Sequence, residues 1–373
     1  MKKPVKLLLT ILIVLCLAGL IARLPSLLKA PAPVPGLTAK ERVLLRIWTV
    51  DAPGGGQAWL KQQLRAFEKA HPGVSTWLRT VSPEDLTDPE AVLPDVILYM
   101  PGNLSSPEQH FLPLTGEMAA RDGLIREELL RCGRWRGEQY GLPLCWGGWV
   151  LAVDSALEPG SAVTPAPTTL LGRPAVTGAI QATPAPYPLE AASAAACALQ
   201  SPGGAALFTA SLLLEKRPPL PADFGTLSPS DVYAAFQRRD CATAMLTTGQ
   251  ATAFASLTSG GSGFAHRVIV PEEIITDQVC LASVTADAPR EAALLLSYLA
   301  SADAQKALFA QGLHTVRSDL TLYASGVSAQ IEQAGHQSLS AINAYLPAEQ
   351  VQTAAWSFFQ QQNTLSDALL PLM

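Results

Sequence analysis

Charge is scarce in this chain. Only 15% of its 373 residues are Asp, Glu, Lys or Arg, against 49% hydrophobic ones, and the formal net charge is −5. A protein that grips nucleic acid wants a basic face; with 26 basic residues against 31 acidic ones, none is on offer. Histidine is scarce too. There are five, and no two fall at metal-ligand spacing. The chain has no C-x-x-C pair, no G-x-S-x-G elbow, no H-E-x-x-H helix and no Walker A loop. Acidic neighbours such as Glu84/Asp85 and Glu272/Glu273 are adjacent in sequence. Such side chains diverge on a helix and point to opposite faces of a strand, so they make poor acid–base dyads. No catalytic residue, metal ligand or cofactor site is therefore nominated, and an enzyme is not expected. A hydrolase whose acid and base come from distant positions finds no support in any motif.

What is present is apolar bulk. A chain of this length and hydrophobic content can bury sizeable cores in two domains, or in one domain plus extras. Its 30 prolines and 27 glycines are spread widely and mostly mark loops. Cys16 lies in the N-terminal apolar run, which leaves Cys132, Cys145, Cys197, Cys241 and Cys280 for the folded part. An odd number leaves at least one thiol free or paired outside the chain. Cys132 and Cys145 flank a short polar turn and are candidates for a bridge or for buried free thiols alike.

Lys2, Lys3 and Lys6 precede a sixteen-residue uncharged run, Leu7–Ala22, closed by Arg23. Basic residues followed by an apolar run form an export signal. With Leu24–Leu28 as a partial extension, the run approaches the ~20 residues a bilayer span needs. The lysines favour a cytoplasmic start. The expectation is an uncleaved membrane anchor over residues 1–28, with a cleaved signal as the alternative; both put the rest outside the cytoplasm. Ala30–Gly36, with three prolines, reads as a stiff extended linker within 29–42.

Val43–Val50 reads as a strand, Asp51–Gly56 as a glycine loop, and Gln57–Ala70 as a helix with Trp59, Leu60, Leu64 and Phe67 on one face. The loop lacks both G-x-G-x-x-G spacing and a following Lys-Ser/Thr, so it is no phosphate cradle. Val74–Val81 reads as a second strand and Pro94–Gly102 as a third, ending at Tyr99. Strands alternating with helices imply a mostly parallel sheet, with ligands off the carboxyl ends of its strands. That rule makes Trp48, Asp51, Tyr99 and Met100 cleft candidates. Further on, Pro143 is followed by Trp146-Gly-Gly-Trp149 and the apolar run Trp149–Val153. The run is short and fully apolar, as in a buried strand. The glycines permit close backbone approach, and the indoles offer flat faces with one donor each. This stretch reads as a crossing from one lobe to another along a cleft wall.

The residues between 158 and 188 show little periodicity. Helices are expected at Glu190–Leu199, Ala205–Leu214 and Ser230–Gln237, and strands at Val268–Val270 and Gln278–Val284. Further helices are expected at Pro289–Leu299, Ala302–Gln311, Ala329–Ala344, Glu349–Gln361 and Leu365–Leu372. Between Thr243–Leu246 and Thr252–Leu257 lies a polar stretch, Thr247-Thr-Gly-Gln250, read as a loop.

Taken in order, several segments resemble a known family. These are Leu45-Arg-Ile-Trp48, Ala66-Phe-Glu-Lys-Ala-His-Pro-Gly-Val74, Pro94-Asp-Val-Ile97, Tyr140-Gly-Leu-Pro143, Phe236-Gln-Arg-Arg-Asp-Cys-Ala-Thr-Ala-Met245 and the helix pair from Asp287 to Leu308. Together they resemble the extracellular solute-binding proteins of ABC importers, in the family-1, maltose-binding-like branch. The resemblance implies an α/β, two-lobed, periplasmic-binding-protein-like (type II) fold with a hinged cleft. It places lobe 1 at 43–147 with 279–325 returning to it, lobe 2 at 148–278, and C-terminal helices at 326–373. It implies capture of a small solute, carbohydrate being the family's common cargo, for ABC permease subunits; a non-transport sensor or structural binding module is the alternative on the same fold. Carried over by position, the implied ligand-binding residues are Trp48, Asp51, Tyr99, Trp146, Trp149, Thr247, Thr248 and Gln250. No cofactor is implied, and a monomer held at the membrane by its N-terminal helix is expected, with the folded part outside. The chain departs from the family at Ala251, where an aromatic is common, at Gly102 and Gly147, where some sugar binders carry carboxylates, and in lacking a lipobox. On this reading, Trp146→Ala and Tyr99→Ala should each weaken solute binding and leave the fold intact.

Overall fold

The apolar runs and helical stripes fold as a mixed α/β protein. The computed structural model describes residues 42–50, 56–87, 93–115, 124–155, 169–170, 173–174, 204–213, 229–239, 243–261, 263–360 and 362–373. Val43–Met373 forms one compact unit. The expected anchor and linker, Asp51, the 158–168 and 175–188 stretches and the expected helix Glu190–Leu199 lie outside the described residues.

In chain order the first elements are β1 (Val43–Thr49), α1 (Gly56–Ala70), β2 (Val74–Thr80), α2 (Pro83–Thr87), β3 (Val96–Tyr99), α3 (Glu127–Cys132), β4 (Arg134–Trp135), β5 (Glu138–Gln139) and β6 (Leu142–Trp146). Helix α1 buries Trp59, Leu60, Leu64 and Phe67 as its periodicity requires. The Trp59 indole N–H donates to the Ala304 carbonyl at 2.8 Å, so even this buried donor is satisfied. The His71–Gly73 turn closes tightly, with the Val74 N–H on the His71 carbonyl at 2.9 Å.

There follow β7 (Trp149–Asp154), β8 (Thr169–Leu170), β9 (Arg173–Pro174), α4 (Ala205–Leu213), α5 (Pro229–Gln237), β10 (Thr243–Thr247), α6 (Thr248–Ser259), β11 (His266–Ile269), β12 (Ile274–Thr276) and β13 (Val279–Val284). The chain ends with α7 (Arg290–Leu299), α8 (Ala302–Lys306), α9 (Gly326–Gln337), β14 (Leu339–Ala341), α10 (Ala348–Phe359) and α11 (Leu365–Leu369).

A five-stranded sheet has the order β2-β1-β3-β13-β6, and a three-stranded antiparallel sheet the order β10-β7-β11. In the larger sheet β1 runs parallel to β2 and β3, while β13 is antiparallel to β3 and β6. Four of the five strands therefore run the same way. β7 is buried along its whole length, which is why it reads as a continuous apolar run with no alternation. A third pairing, β12 parallel to β14, replaces the end of the helix expected over Ala329–Ala344. That helix stops at Gln337, and the three residues Leu339–Ala341 pair with Ile274–Thr276 across a long sequence gap.

Candidate functional site

Because β1, β3 and β6 run the same way, their carboxyl ends fall along one edge of the large sheet, the edge that faces ligand in open α/β folds. Trp48 stands one residue from the end of β1, Tyr99 ends β3, and Trp146 ends β6. β13 lies between the last two, with Leu281 opposite Tyr99 and Val279 opposite Trp146. Two strand spacings and a two-residue offset separate those positions by roughly 12 Å.

The topology gathers these residues, but their side chains face inward. Trp48 is buried, with the Arg79 guanidinium 5.5 Å above its ring. Tyr99 is 0% exposed. Its hydroxyl lies 2.7 Å from both the Ser283 and the Tyr345 hydroxyls, and its ring stacks on Phe111. Burial pushes the Tyr99 phenol well above its ordinary range. Gly141 makes room for this cluster, since a Cβ there would stand 2.8 Å from the Tyr99 oxygen. In this structure Tyr99 is thus a satisfied core group and not an open platform.

The Trp146–Trp149 stretch leaves the large sheet at β6 and enters the small one at β7. A second crossing returns from β12 through Asp277 and Gln278 into β13. The two are tied together. The Gly147 N–H donates to the Gln278 carbonyl at 2.7 Å, and the Thr276 hydroxyl donates to the Gly147 carbonyl at 2.7 Å. The indole N–H of Trp149 donates to Asp277 Oδ1 at 2.9 Å. Asp277, 2% exposed, also accepts from the Gln278 side chain at 3.0 Å and, through Oδ2, from the Ala205 N–H at the start of α4 at 3.1 Å. A buried carboxylate thus meets three donors, one at a helix N-terminus whose dipole favours negative charge.

Thr247, Thr248 and Gln250 do not form a loop. β10 runs directly into α6, with Thr247 as its N-cap. The Thr247 hydroxyl accepts from the Gln250 N–H at 3.2 Å, and the Gln250 side-chain oxygen accepts from the Thr247 N–H at 3.0 Å. This is a capping box, and Thr-x-x-Gln is its sequence signature. Thr248 is turned to the crossing: its N–H donates to the Gly148 carbonyl at 2.9 Å, and its hydroxyl accepts from the Gly148 N–H at 3.3 Å. A Cβ on Gly147 would stand 2.7 Å from that hydroxyl, so only glycine permits so close an approach.

A third segment joins at His314. Its backbone exchanges hydrogen bonds with Trp146, at 3.1 and 3.0 Å, and its ring lies 4.7 Å from the Trp146 ring, centroid to centroid. The Trp146 indole N–H donates to the Thr315 carbonyl at 2.8 Å, Arg126 covers the ring, and the edge of the indole abuts Gly335 of α9. Trp146 is 0% exposed. The expectation that Trp146→Ala and Tyr99→Ala would spare the fold is therefore overturned: each would open a cavity in a packed core. Among the described residues, neither ring nitrogen of His314 finds a hydrogen-bond partner. Burial, with Arg126 and His336 nearby, lowers its pKa to about 3, so the imidazole is neutral. Sequence reasoning did not single out Asp277, Gln278, His314, Ser283 or Tyr345. Each owes its role to a contact with a distant segment, for which no local motif exists. A shallow depression of about 470 Å³, lined by Glu349, Gln350, Thr353 and Ser357 among others, lies along α10 and involves none of the crossing residues. Among the described residues, no group of three or more His, Cys, Asp or Glu side chains is placed to hold a metal ion.

The two sheets and their crossings define the two-lobed, periplasmic-binding-protein-like fold of solute-binding proteins. Solved structures of this architecture superpose over 88% of the chain. The GacH receptor of Streptomyces glaucescens, solved unliganded and with acarbose, matches with a TM-score of 0.57 at 14% identity, over 95% of its own chain. An ABC transporter solute-binding protein from Thermotoga lettingae, bound with α-D-tagatose, matches at 0.56 and 17%, over 97% of its chain. Maltose-bound MalE3 of T. maritima matches at 0.55 and 16%, also over 97%. No protein-family model matches the sequence. No curated protein matches it either. At these identities the likeness establishes the fold.

Proposed function

We propose that this chain is a solute-binding protein that captures a small carbohydrate outside the cell and delivers it to the permease of an ABC importer. The observation that carries the reading is the pair of crossings: Trp146–Trp149 leads from the five-stranded to the three-stranded sheet, and Thr276–Val279 leads from the β12–β14 pair back into the five-stranded one. Lobes joined in this way can close over a guest by hinge bending. The sugar ligands of similarly folded proteins support carbohydrate as the solute class. The basic, apolar N-terminal stretch supports membrane attachment with the folded part outside. The ligand-binding groups proposed are Asp51, which follows β1 in the sequence, and the partly exposed Met100 beyond Tyr99.

A second reading places the same fold in a non-transport sensor or structural module. It is favoured by the internal commitment of groups that the family resemblance assigns to ligand, since Thr247 and Gln250 cap a helix and the Trp146 and Trp149 donors serve Thr315 and Asp277. Thermal-shift screening of Val43–Met373 against mono- and oligosaccharides, amino acids, polyamines and oligopeptides separates the two. A true solute at 100 times its Kd adds ~2.7 kcal/mol of stability. A melt raised by a sugar supports capture for import. A melt unmoved by every class sinks that reading and leaves the structural module.

A further inference from the structure

We infer that Cys145 and Cys280 are the two halves of a disulfide that staples β6 to β13 at the root of both crossings. Their pairing in the ladder carries it. The residues are directly paired across the antiparallel β6–β13 ladder, at the point where its register shifts. Opposed residues on antiparallel strands stand with their Cα atoms about 4.5–5.5 Å apart and their side chains on one face, within the ~4.4–6.8 Å that a disulfide spans. Both thiols are free and buried in the present structure. Cys132, the neighbour nearer in sequence, is committed elsewhere, with its thiol donating to the Ile342 carbonyl at 3.0 Å.

The chemistry is two thiol–disulfide exchanges with a small disulfide such as oxidised glutathione. The Cys145 thiolate attacks one sulfur of the reagent and expels a glutathione thiolate, leaving a mixed disulfide. The Cys280 thiolate then attacks the Cys145 sulfur and expels the second. The cysteines lose two electrons to the reagent, and their two protons end on the two released thiols. In the folded protein the contact with Cys280 and burial hold the Cys145 thiol protonated. Exchange therefore belongs to folding, after β6 meets β13 and before the core seals. The bridge lies one residue from Trp146 and one from Val279, so it fixes the pivot about which the lobes would move. Solute capture and the bridge are independent, and either stands if the other fails.

The test uses the full chain, unfolded in denaturant with reductant and refolded in a glutathione redox buffer. Free thiols are then blocked under denaturing conditions and the peptides mapped without reduction. The expected result is a linked pair of peptides carrying Cys145 and Cys280, two hydrogen masses lighter than the free peptides, with Cys132 blocked. Because the link closes a loop of over a hundred residues, the oxidised protein should melt at least ~5 °C above the reduced one. That gap should vanish in a Cys145→Ala/Cys280→Ala variant. Finding Cys145 and Cys280 both blocked, or either bridged to Cys132, Cys197 or Cys241, overturns the assignment. The mapping is done on the unaltered chain, so it decides the pairing even if the double variant does not fold.

Discussion

Asp277 and His314 lie on two segments that meet the same Trp146–Trp149 crossing, and both are buried titratable groups, yet the crossing treats them differently. Asp277 accepts from an indole, an amide side chain and a helix N-terminus. His314 lies tilted against Trp146 and edge-on to Tyr323, and both its ring nitrogens go without a partner among the described residues. Around the carboxylate, donors replace the water it lost. The imidazole gives its charge up because nothing does. One segment is thereby locked to the crossing by directional bonds. The other is held by ring contact, by the two backbone bonds between His314 and Trp146, and by the Trp146 indole N–H on the Thr315 carbonyl. The difference predicts where the junction resists change and where it yields.

The largest effect is expected at the ring against which the His314 segment packs. Trp146→Ala removes an indole that packs His314, Arg126 and Gly335 together and leaves the Thr315 carbonyl without its donor. A loss of about 3–5 kcal/mol is expected, read from the midpoint of urea unfolding. A loss under 1 kcal/mol would mean that the junction does not depend on this ring. Next comes Asp277→Asn. It retains the shape, but its amide nitrogen has only hydrogens to offer donors that need an acceptor. The expected cost is about 2–3 kcal/mol. If the variant unfolds at the same urea concentration as the parent, Asp277 is not the clasp described above.

Much of this frame could be read from the chain. The apolar runs of β1, β7 and β13, the amphipathic stripe of α1 and the Gly147-Gly148 crossing all carry their meaning within a few residues. The capping box over Thr247–Gln250 was legible too, though a polar stretch after a strand resembles a ligand loop equally well. β14 was not legible: three residues are too few to show a period, and they are extended only because Ile274–Thr276 lies alongside. Nor was the inward turn of Tyr99, whose environment comes from Ser283 and Tyr345, far along the chain. Aromatics at strand ends suit a sugar platform and a core equally, and only the positions of the other segments decide between them.

The His314 side of the comparison is sharpened by acid. Its folded pKa, about 3, lies below the ordinary imidazole value of 6.5, so between those limits the unfolded chain binds a proton there and the folded chain does not. Stability must then fall as pH falls through that window, by about 1.4 kcal/mol per pH unit from this group. At pH 4.5 the loss approaches ~2.7 kcal/mol. Urea midpoints at pH 7, 5.5 and 4.5 measure the slope, and His314→Gln should flatten it by one proton's worth. Equal slopes in parent and variant would show that acid acts through other groups.

The smallest effect tests whether the groups beside the crossing serve structure or solute. Thr247→Ala removes the hydroxyl that accepts from Gln250 but leaves β10 and the apolar contacts of α6 in place. Loss of an N-cap costs about 1 kcal/mol, well below the cost of breaking Asp277, because the cap is partly exposed and water can take up the freed N–H. A stability loss of that size with unchanged sugar-induced melt shifts assigns Thr247 to the helix. The opposite pattern, unchanged stability with a vanished ligand shift, would return it to the binding surface and reverse the view of α6 as scaffold.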